Sequence, residues 1–197
     1  MADQKFTIQE LKTKVRQAVN DFVKERPSLL KLRAHEQAVS HRVAFYLENV
    51  FCESGRVGLN VDCEYNKHLE KDKAINIDQK AFAKRKYKNC RCDGCKKLRS
   101  NKLPDKKLFR PDVLVHLRDT DVRNLIAIEI KKGKRCLFDE AKLKALTKLK
   151  DDGGKYEYQL GVFLFFPKRK PKYKWFAPRP KPPSTPAILC QTEEQTF

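Results

Sequence analysis

Long hydrophobic runs are absent from this sequence of 197 residues. No apolar stretch approaches the roughly 20 residues that a membrane-spanning helix needs. The opening residues, MADQK, do not lead into the apolar segment of a signal peptide. A glycine-rich phosphate-binding loop is also missing, which argues against nucleotide-driven chemistry. These absences predict a cytoplasmic protein without a membrane span.

Acidic residues are scarce relative to basic ones. The chain has 44 Lys and Arg against 25 Asp and Glu, which gives a formal net charge of +19. Such an excess is typical of proteins that bind a polyanion, because each neutralised phosphate releases a condensed counterion. We therefore expect nucleic acid, rather than an anionic membrane surface, as the partner. The alternative is that the excess positive charge serves only to keep the protein soluble. The sequence also allows a homodimer.

Much of the positive charge is concentrated in two segments. Residues 80–110 hold thirteen Lys or Arg and two acidic residues, and residues 167–197 hold seven and two. Aromatic side chains interleaved with basic ones can stack on unpaired bases. The residues that we expect to contact nucleic acid are Lys84, Arg85, Lys86, Lys88, Lys96, Lys97, Arg99, Lys172, Lys174 and Trp175.

The chain has seven cysteines, an odd number that favours free thiols or a metal site over disulfides in a reducing cytoplasm. Cys90, Cys92 and Cys95 lie within six residues, and Gly94 permits a tight turn between them. A structural zinc ion takes four ligands. The candidates for the fourth ligand are Cys52, Cys63, His68 and Cys136. The alternative is a loop of free thiols.

Periodicity divides the chain into helices and strands. The helical spacing of apolar residues is found over 5–26, 34–52 and 138–150. Strand patterns are found over 57–67, 113–115, 125–130 and 156–166. The continuous apolar run at 125–130 indicates a central strand that is covered on both faces. The lysine-rich stretch 69–108 is interpreted as an insertion, helical around 78–88, with the cysteines in a following loop.

Together these elements predict one α/β domain over residues 1–166, with a mixed central sheet flanked by helices. Seven prolines after residue 166 argue against a further core element, so we expect a basic tail over 167–197. Alternation along 57–67 predicts one apolar face, formed by Val57, Leu59, Val61, Cys63 and Tyr65. Asp62, Glu64 and Asn66 take the other face, either solvated or extending an acidic site. His41 and His116 have no visible catalytic partner, and we expect them to be structural.

Two charged residues interrupt the most buried strand. Glu129 and Lys131 flank Ile130, and alternation places both side chains on one face, with Cα atoms roughly 6.6 Å apart. Burying either charge without a partner is unfavourable. They therefore form a structural ion pair, or a site in which Glu129 binds a metal ion beside a catalytic Lys131.

Asp112 begins the preceding strand, directly after Pro111. A hairpin through the turn at 119–122 would bring Asp112 beside Glu129. The two carboxylates and the backbone carbonyl of Ile130 could then share a Mg²⁺ ion. A metal-bound water would be the nucleophile toward a phosphodiester, and Lys131 would orient it. The alternative for Asp112 is a turn or cap residue.

Glu36 is the fourth candidate site residue. On a helical wheel it lies within the apolar stripe that contains Val43, Leu47 and Val50, whereas Glu48 points to solvent. A carboxylate in such a stripe is either an N-terminal helix charge or part of a site.

These residues resemble a known enzyme family. Pro111-Asp112 and Glu129-Ile130-Lys131, preceded by a helix with Glu36, resemble the motifs of the PD-(D/E)XK nuclease superfamily, which has the restriction-endonuclease-like fold. The element order αβββαβ over about 34–166 is similar to the core of that fold. The stretches HEQAVSHR, VDCEYNKH and RPDVLVHL resemble segments of uncharacterised bacterial members.

The resemblance implies a Mg²⁺- or Mn²⁺-dependent phosphodiesterase. Asp112 and Glu129 would hold the metal, Lys131 would be catalytic, and Glu36 would be the helix acid that shares in both roles. We therefore expect a nuclease, with DNA favoured over RNA as its substrate. The alternatives are a catalytically silent nucleic-acid-binding module with the same fold, and a protein-interaction factor stabilised by zinc.

The basic insertion predicts salt-dependent binding. Replacing Lys84, Arg85, Lys86 and Lys88 by Glu should flatten the slope of log Kobs against log salt, since each phosphate contact contributes about 0.9 on duplex DNA. All sequences should be bound more weakly to the same extent, because phosphate contacts carry no sequence information. Fluorescence anisotropy over a salt series measures the slope. An unchanged slope would show that this segment is not the binding surface.

Overall fold

The computed structural model describes residues 6–31, 34–53, 58–68, 71–76, 90–100, 106–108, 110–120, 122–133 and 135–178. The helices are α1 (Ile8–Glu25), α2 (Pro27–Lys31), α3 (Glu36–Cys52), α4 (Asp93–Arg99) and α5 (Leu137–Leu146). The strands are β1 (Asn60–Cys63), β2 (Lys67–His68), β3 (Lys71–Asp72), β4 (Ala74–Asn76), β5 (Lys106–Leu108), β6 (Val113–His116), β7 (Asn124–Lys131), β8 (Leu160–Phe165) and β9 (Lys172–Phe176).

Five strands form the main sheet in the order β1-β6-β7-β8-β9. β7 and β8 are parallel, and the other neighbours are antiparallel. The parallel pair is connected through α5, because parallel strands require a crossover. Two small ribbons, β2 with β3 and β4 with β5, lie outside this sheet. The prediction of an α/β architecture with a mixed sheet and flanking helices is confirmed.

Helices cover both faces of the central strand β7, as its continuous apolar run predicted. Ile126 and Ile128 are fully buried in the cluster that contains the apolar stripes of α1 and α3. Ala127 belongs to the opposite cluster, which is built around α5. Strand alternation therefore directs Glu129, two residues after Ala127, toward α5.

Helix α1 is defined by its capping residues as much as by its apolar stripe. Thr7 is the N-cap, its side chain accepts from the Glu10 amide, and the Glu10 carboxylate accepts from the Thr7 amide. This reciprocal capping box satisfies two otherwise unpaired donors. The helix therefore begins at Ile8 rather than at the predicted residue 5, and it ends before Pro27.

The expectation that no core element follows residue 166 is wrong. β9 pairs antiparallel with β8 at the edge of the main sheet, with Trp175 opposite Val162. Pro171 and Pro178 lie outside β9, where their missing amide hydrogens remove no bond from the ladder. The number of prolines therefore did not predict whether this segment forms a strand. What matters is their positions, which leave five consecutive residues that can pair with β8.

The first strand also differs from its prediction. Leu59 and Val61 pack against the core as expected, and Val57 lies outside the described residues. Cys63 is exposed, whereas Asp62 is buried. A buried position was available to Asp62 because His116, on the neighbouring strand β6, offers it a hydrogen-bonding partner at 2.9 Å.

Two further boundaries were predicted imperfectly. Helix α5 ends at Leu146 rather than at 150, and a separate 3-10 turn, Lys150–Asp152, precedes Gly153. Gly153 has φ of +82°, a left-handed conformation that glycine adopts without strain. The helix predicted around 78–88 lies outside the described residues, and the segment after Cys92 forms α4 rather than a loop.

The packing of α1 predicts the effect of a core truncation. Phe22 is fully buried, and its ring meets those of Tyr46 and Phe166. Phe22→Ala should lower the free energy of unfolding by about 3–5 kcal/mol, through lost burial and the cavity that remains. Urea denaturation measures the change, with Phe45→Ala as the control because Phe45 is 44% exposed. Equal losses for the two variants would contradict this packing.

Candidate active site

The hairpin formed by β6 and β7 brings Asp112 and Glu129 together. Val113 pairs with Ile128, and both acidic residues lie one position beyond that pair. The Asp112 carboxylate accepts a hydrogen bond from the Ile130 amide at 2.6 Å, while its backbone carbonyl accepts from the Glu64 amide at 3.2 Å. Asp112 is therefore held between its two neighbouring strands and beside the end of β7.

Glu36 reaches the same edge of the sheet from the first turn of α3. Its carboxylate accepts from the Lys131 ammonium group at 2.9 Å and from the Lys132 amide at 3.3 Å. One oxygen of the Glu36 carboxylate thus binds the Lys131 side chain, and the other binds the Lys132 backbone amide just beyond β7. The structure places the four residues singled out in the sequence, Glu36, Asp112, Glu129 and Lys131, at one end of β7. The role of the Ile130 carbonyl as a metal ligand remains a prediction.

Two residues of α5 belong to the same cluster and were missed by sequence reasoning. Lys142 donates to Glu129 at 2.9 Å and forms an ion pair with Asp139 at 2.7 Å. Asp139 also lies 3.6 Å from the Lys131 ammonium group. In the sequence, Asp139 and Lys142 form an ordinary i,i+3 pair, which is more often found on a solvated helix surface. The sequence signal that could have identified Asp139 as a site residue was its position in the first turn of α5.

The cluster contains more negative than positive groups. Four carboxyl groups, those of Glu36, Asp112, Glu129 and Asp139, face the two ammonium groups of Lys131 and Lys142. Burial raises the pKa of Glu129 well above its usual value. The nearby Asp139 and Asp112 raise this pKa further, whereas Lys142 acts to lower it. Burial likewise raises the pKa of Asp112, although the Ile130 amide and both lysines oppose it.

The two lysines respond in the opposite direction. Burial alone would lower the pKa of Lys131, but Asp139, Glu36 and Asp112 raise it above the usual value. The pKa of Lys142 is raised in the same way, against burial, by Glu129 and Asp139. Both lysines therefore stay charged at neutral pH, while burial disfavours the ionised forms of Asp112 and Glu129.

A basic cleft opens beside Glu36. Its volume is about 660 Å³, and the charged residues of its lining include Lys31, Lys132, Lys168 and Arg169 together with Glu36. Lys168 and Arg169 have φ of 52° and 67°, a conformation that non-glycine residues rarely adopt and that is found preferentially at functional sites. None of these four cations was among the residues predicted to bind nucleic acid.

The residues that were predicted to bind nucleic acid lie in several environments. Lys84, Arg85, Lys86 and Lys88 fall outside the described residues, as does the side chain of Arg99. Lys96, Lys97 and Lys172 are exposed. Lys174 forms an ion pair with Glu140 at 2.6 Å. Trp175 stacks on Tyr173 and lies under the guanidinium group of Arg16, so contacts within the fold already engage its ring.

The fold places Cys136, which is distant in the sequence, next to the cysteine motif that begins at Cys90. The sulfur atoms of Cys90, Cys92 and Cys136 all lie within 4.8 Å of one another, close enough to hold a metal ion. Of the four predicted candidates for an additional ligand, Cys136 is placed beside the motif and Cys52 and Cys63 are exposed, whereas the side chain of His68 lies outside the described residues. Within the described ranges no group of three carboxylates comes this close together.

A second buried carboxylate is fully compensated. Asp62 accepts from His116 at 2.9 Å and from Nε of Arg118 at 2.8 Å. Burial acts to raise the pKa of Asp62, but the hydrogen bonds from Arg118 and His116 outweigh it and hold the pKa well below the usual range. The His116 side chain is only 4% exposed, and its contact with Asp62 joins β1 to β6 instead of extending the acidic cluster.

Comparison of the chain with protein-family models, with curated proteins and with solved structures yields no match. In the part of the chain that the structure describes, no helix has the length and apolar character needed to cross a membrane.

The charge network predicts how Lys142 acts. Lys142→Met should lower the free energy of unfolding by roughly 3–5 kcal/mol at pH 7, because it leaves Glu129 and Asp139 buried without their shared cation. Loss of Lys142 raises the folded-state pKa of Glu129 further, so the deficit should shrink as pH falls below 7 and Glu129 of the folded variant takes up a proton.

Urea denaturation at several pH values measures this deficit. Lys142→Met combined with Glu129→Gln is the matched control, and it should recover most of the lost stability because one of the two carboxylates becomes neutral. A deficit that did not depend on pH would assign the effect of Lys142→Met to packing rather than to charge.

Proposed function

We propose that this protein is a metal-dependent nuclease built on a restriction-endonuclease-like core. The order α3, β1, β6, β7, α5, β8 supports this, since it follows the αβββαβ order of the resemblance, with the segment 64–112 as the connection after the first strand. The strand arrangement agrees with the same core, because the antiparallel β1-β6-β7 unit continues into the parallel partner β8.

The convergence of Asp112, Glu129, Lys131 and Glu36 at one end of β7 carries the proposal. They come from three parts of the chain, which are the start of α3, the residue before β6 and the end of β7, and Glu36 and Lys131 are separated by 95 residues. All four groups are held by directional hydrogen bonds to neighbouring backbone or side chains. Such positioning of charged groups at a strand end is what a preorganised electrostatic site requires.

The donor set fits a hard divalent cation. Asp112 and Glu129 lie one position beyond the Val113–Ile128 pair, and burial raises the pKa of each carboxyl group; Mg²⁺ or Mn²⁺ would stabilise their ionised forms. Mg²⁺ needs few protein ligands because it keeps several waters. Asp112, Glu129 and the carbonyl of Ile130 would hold the ion, with Glu36 as the further acid. When bound, the ion would supply a water of lowered pKa as the nucleophile.

Lys131 and Lys142 have different roles in this proposal. The Lys131 side chain is 26% exposed and faces both Glu36 and Asp139, so it can orient a water molecule and offset negative charge on the phosphate in the transition state. The Lys142 side chain is 13% exposed and is enclosed by Glu129 and Asp139. It positions these two carboxylates and does not contact substrate.

The basic cleft provides a path for the nucleic acid. Lys31, Lys132, Lys168 and Arg169 line it, and Glu36 lies in the same lining. A phosphate backbone in the cleft would therefore run past the acidic cluster. Phosphate contacts of this kind fix the position of a strand without reading its sequence.

One observation favours the alternative of a silent nucleic-acid-binding module. Lys142 already forms ion pairs with Glu129 and Asp139, which makes part of the cluster a self-contained network. In that case nucleic acid would bind in the basic cleft without cleavage. Metal-dependent cleavage distinguishes the two functions, because Mg²⁺ is often held by one or two carboxylates together with substrate phosphates.

Cleavage assays test the proposed activity. Plasmid and single-stranded DNA, with RNA in parallel, should be cut in Mg²⁺ or Mn²⁺ and remain intact in EDTA. Glu129→Ala, Asp112→Ala and Lys131→Ala should each lower the rate by at least about 10²-fold, the usual effect of removing one electrostatic group from an active site.

Glu48→Ala is the matched control, because Glu48 is an exposed carboxylate of α3 and should leave the rate unchanged. Circular dichroism and calorimetric titration with Mn²⁺ accompany each variant. If the wild-type protein bound DNA but neither took up Mn²⁺ nor cleaved any substrate, the silent module would replace the nuclease.

A further inference from the structure

The three thiols that meet at the start of α5 have the spacing of ligands to one ion. The Cys92 sulfur lies 3.1 Å from that of Cys136 and 3.5 Å from that of Cys90. Around a tetrahedral zinc ion with Zn–S bonds of about 2.3 Å, neighbouring sulfurs are roughly 3.8 Å apart. A small outward shift would accommodate zinc between them.

Cys95 is the candidate for the fourth ligand. It is buried, and it lies three residues after Cys92 in the same segment. Its backbone amide donates to the Cys92 sulfur at 3.3 Å. Hydrogen bonds from the surroundings to a ligand atom orient it and stabilise its bound form. The three clustered thiols therefore have a backbone donor already in place, and the residue that supplies it carries a buried thiol of its own.

The packing of α4 against α5 holds the cluster in this arrangement. A Cβ atom at Gly94 would lie only 2.3 Å from Cδ1 of Phe138, so glycine is needed for this close approach. Cys92 and Cys95 flank the contact on one side, and Cys136 precedes Phe138 on the other. The thiols are thus brought together by packed elements, with ligands from two segments more than 40 residues apart in the chain.

We propose that Cys90, Cys92, Cys95 and Cys136 form a closed four-thiolate zinc site that fastens segment 90–100 to the start of α5. Four thiols lose their protons to solvent as zinc binds, and no ligand position remains for water. The site is therefore structural and not catalytic. This inference does not depend on nuclease activity.

The position of the site gives it a consequence for the acidic cluster. Cys136 is the N-cap of α5, and Asp139 lies in the first turn that follows. Asp139 forms ion pairs with Lys131 and Lys142. Zinc at the thiols would fix the beginning of α5 and, through it, the carboxylate that both lysines share.

Metal content of the full chain tests the site directly. Protein purified under reducing conditions, without chelator, should contain one zinc per chain by mass spectrometry of the metal. Replacement of zinc by Co²⁺ should give the absorption bands of a tetrahedral cobalt–thiolate centre. Removal of zinc should lower Tm by roughly 10 °C or more, because a ligand far above its Kd contributes several kcal/mol to a chain of this size.

Single substitutions identify the ligands. Cys95→Ser and Cys136→Ser should each cause a large loss of bound zinc, whereas Cys52→Ser and Cys63→Ser are controls at exposed cysteines and should retain it. If a variant fails to fold, the metal content and cobalt spectrum of the wild-type chain still decide. A wild-type chain that binds neither zinc nor Co²⁺, or a Cys95→Ser variant with an unchanged cobalt spectrum, would overturn the four-thiolate assignment.

Discussion

Burial of the Glu129 carboxyl group in the central strand is the constraint on which the surrounding structure depends. Glu129 is 1% exposed, and an isolated charge there would be strongly unfavourable. Lys142 compensates it, Asp139 compensates Lys142, and Lys131 links Asp139 to Glu36. This succession of ion pairs joins α5, β7 and α3 at one end of the sheet, so the two helical layers are connected by charge as well as by apolar packing.

Two helix N-termini at this end of the sheet favour the carboxylates. Glu36 begins α3, and Asp139 lies in the first turn of α5. The positive end of a helix dipole stabilises negative groups near it. The network nevertheless holds more carboxyl groups than ammonium groups, and this shortage of positive charge adds to burial, which is the main cause of the raised pKa values of Asp112 and Glu129. A divalent cation or a proton can relieve it, and the basic cleft lies next to the same edge.

The first turn of α5 is also the junction for the parts of the chain outside the central core. Glu140 is buried there and pairs with Lys174 of β9 and with Arg135. Burial acts to raise the pKa of Glu140, but hydrogen bonds from Arg135 and Lys174 outweigh it and lower the pKa below its usual value. In the same turn of α5, the Phe138 ring packs closely against Gly94 of α4. The edge strand and the cysteine segment thus both attach to α5 near the acidic cluster.

The sequence by itself determined the features that depend on local periodicity. The apolar stripes of α1 and α3 and the continuous run of β7 could be predicted because helices and strands repeat every 3.6 and 2 residues. The short turn between β6 and β7 limits how that hairpin can pair, so the neighbourhood of Asp112 and Glu129 was also predictable. The position of Glu36 within an apolar stripe showed that it faces the sheet.

Tertiary structure alone decided which distant groups meet. Lys142 has the spacing of a surface ion-pair member, and only the packing of α5 on β7 gives it Glu129 as a partner. Cys136 was one of four equivalent candidates until the docking of α4 placed it beside Cys92. Asp62 became buried because His116 lies next to it. Local patterns show which face of an element is apolar, but the partners of a polar group depend on contacts between segments far apart in the chain.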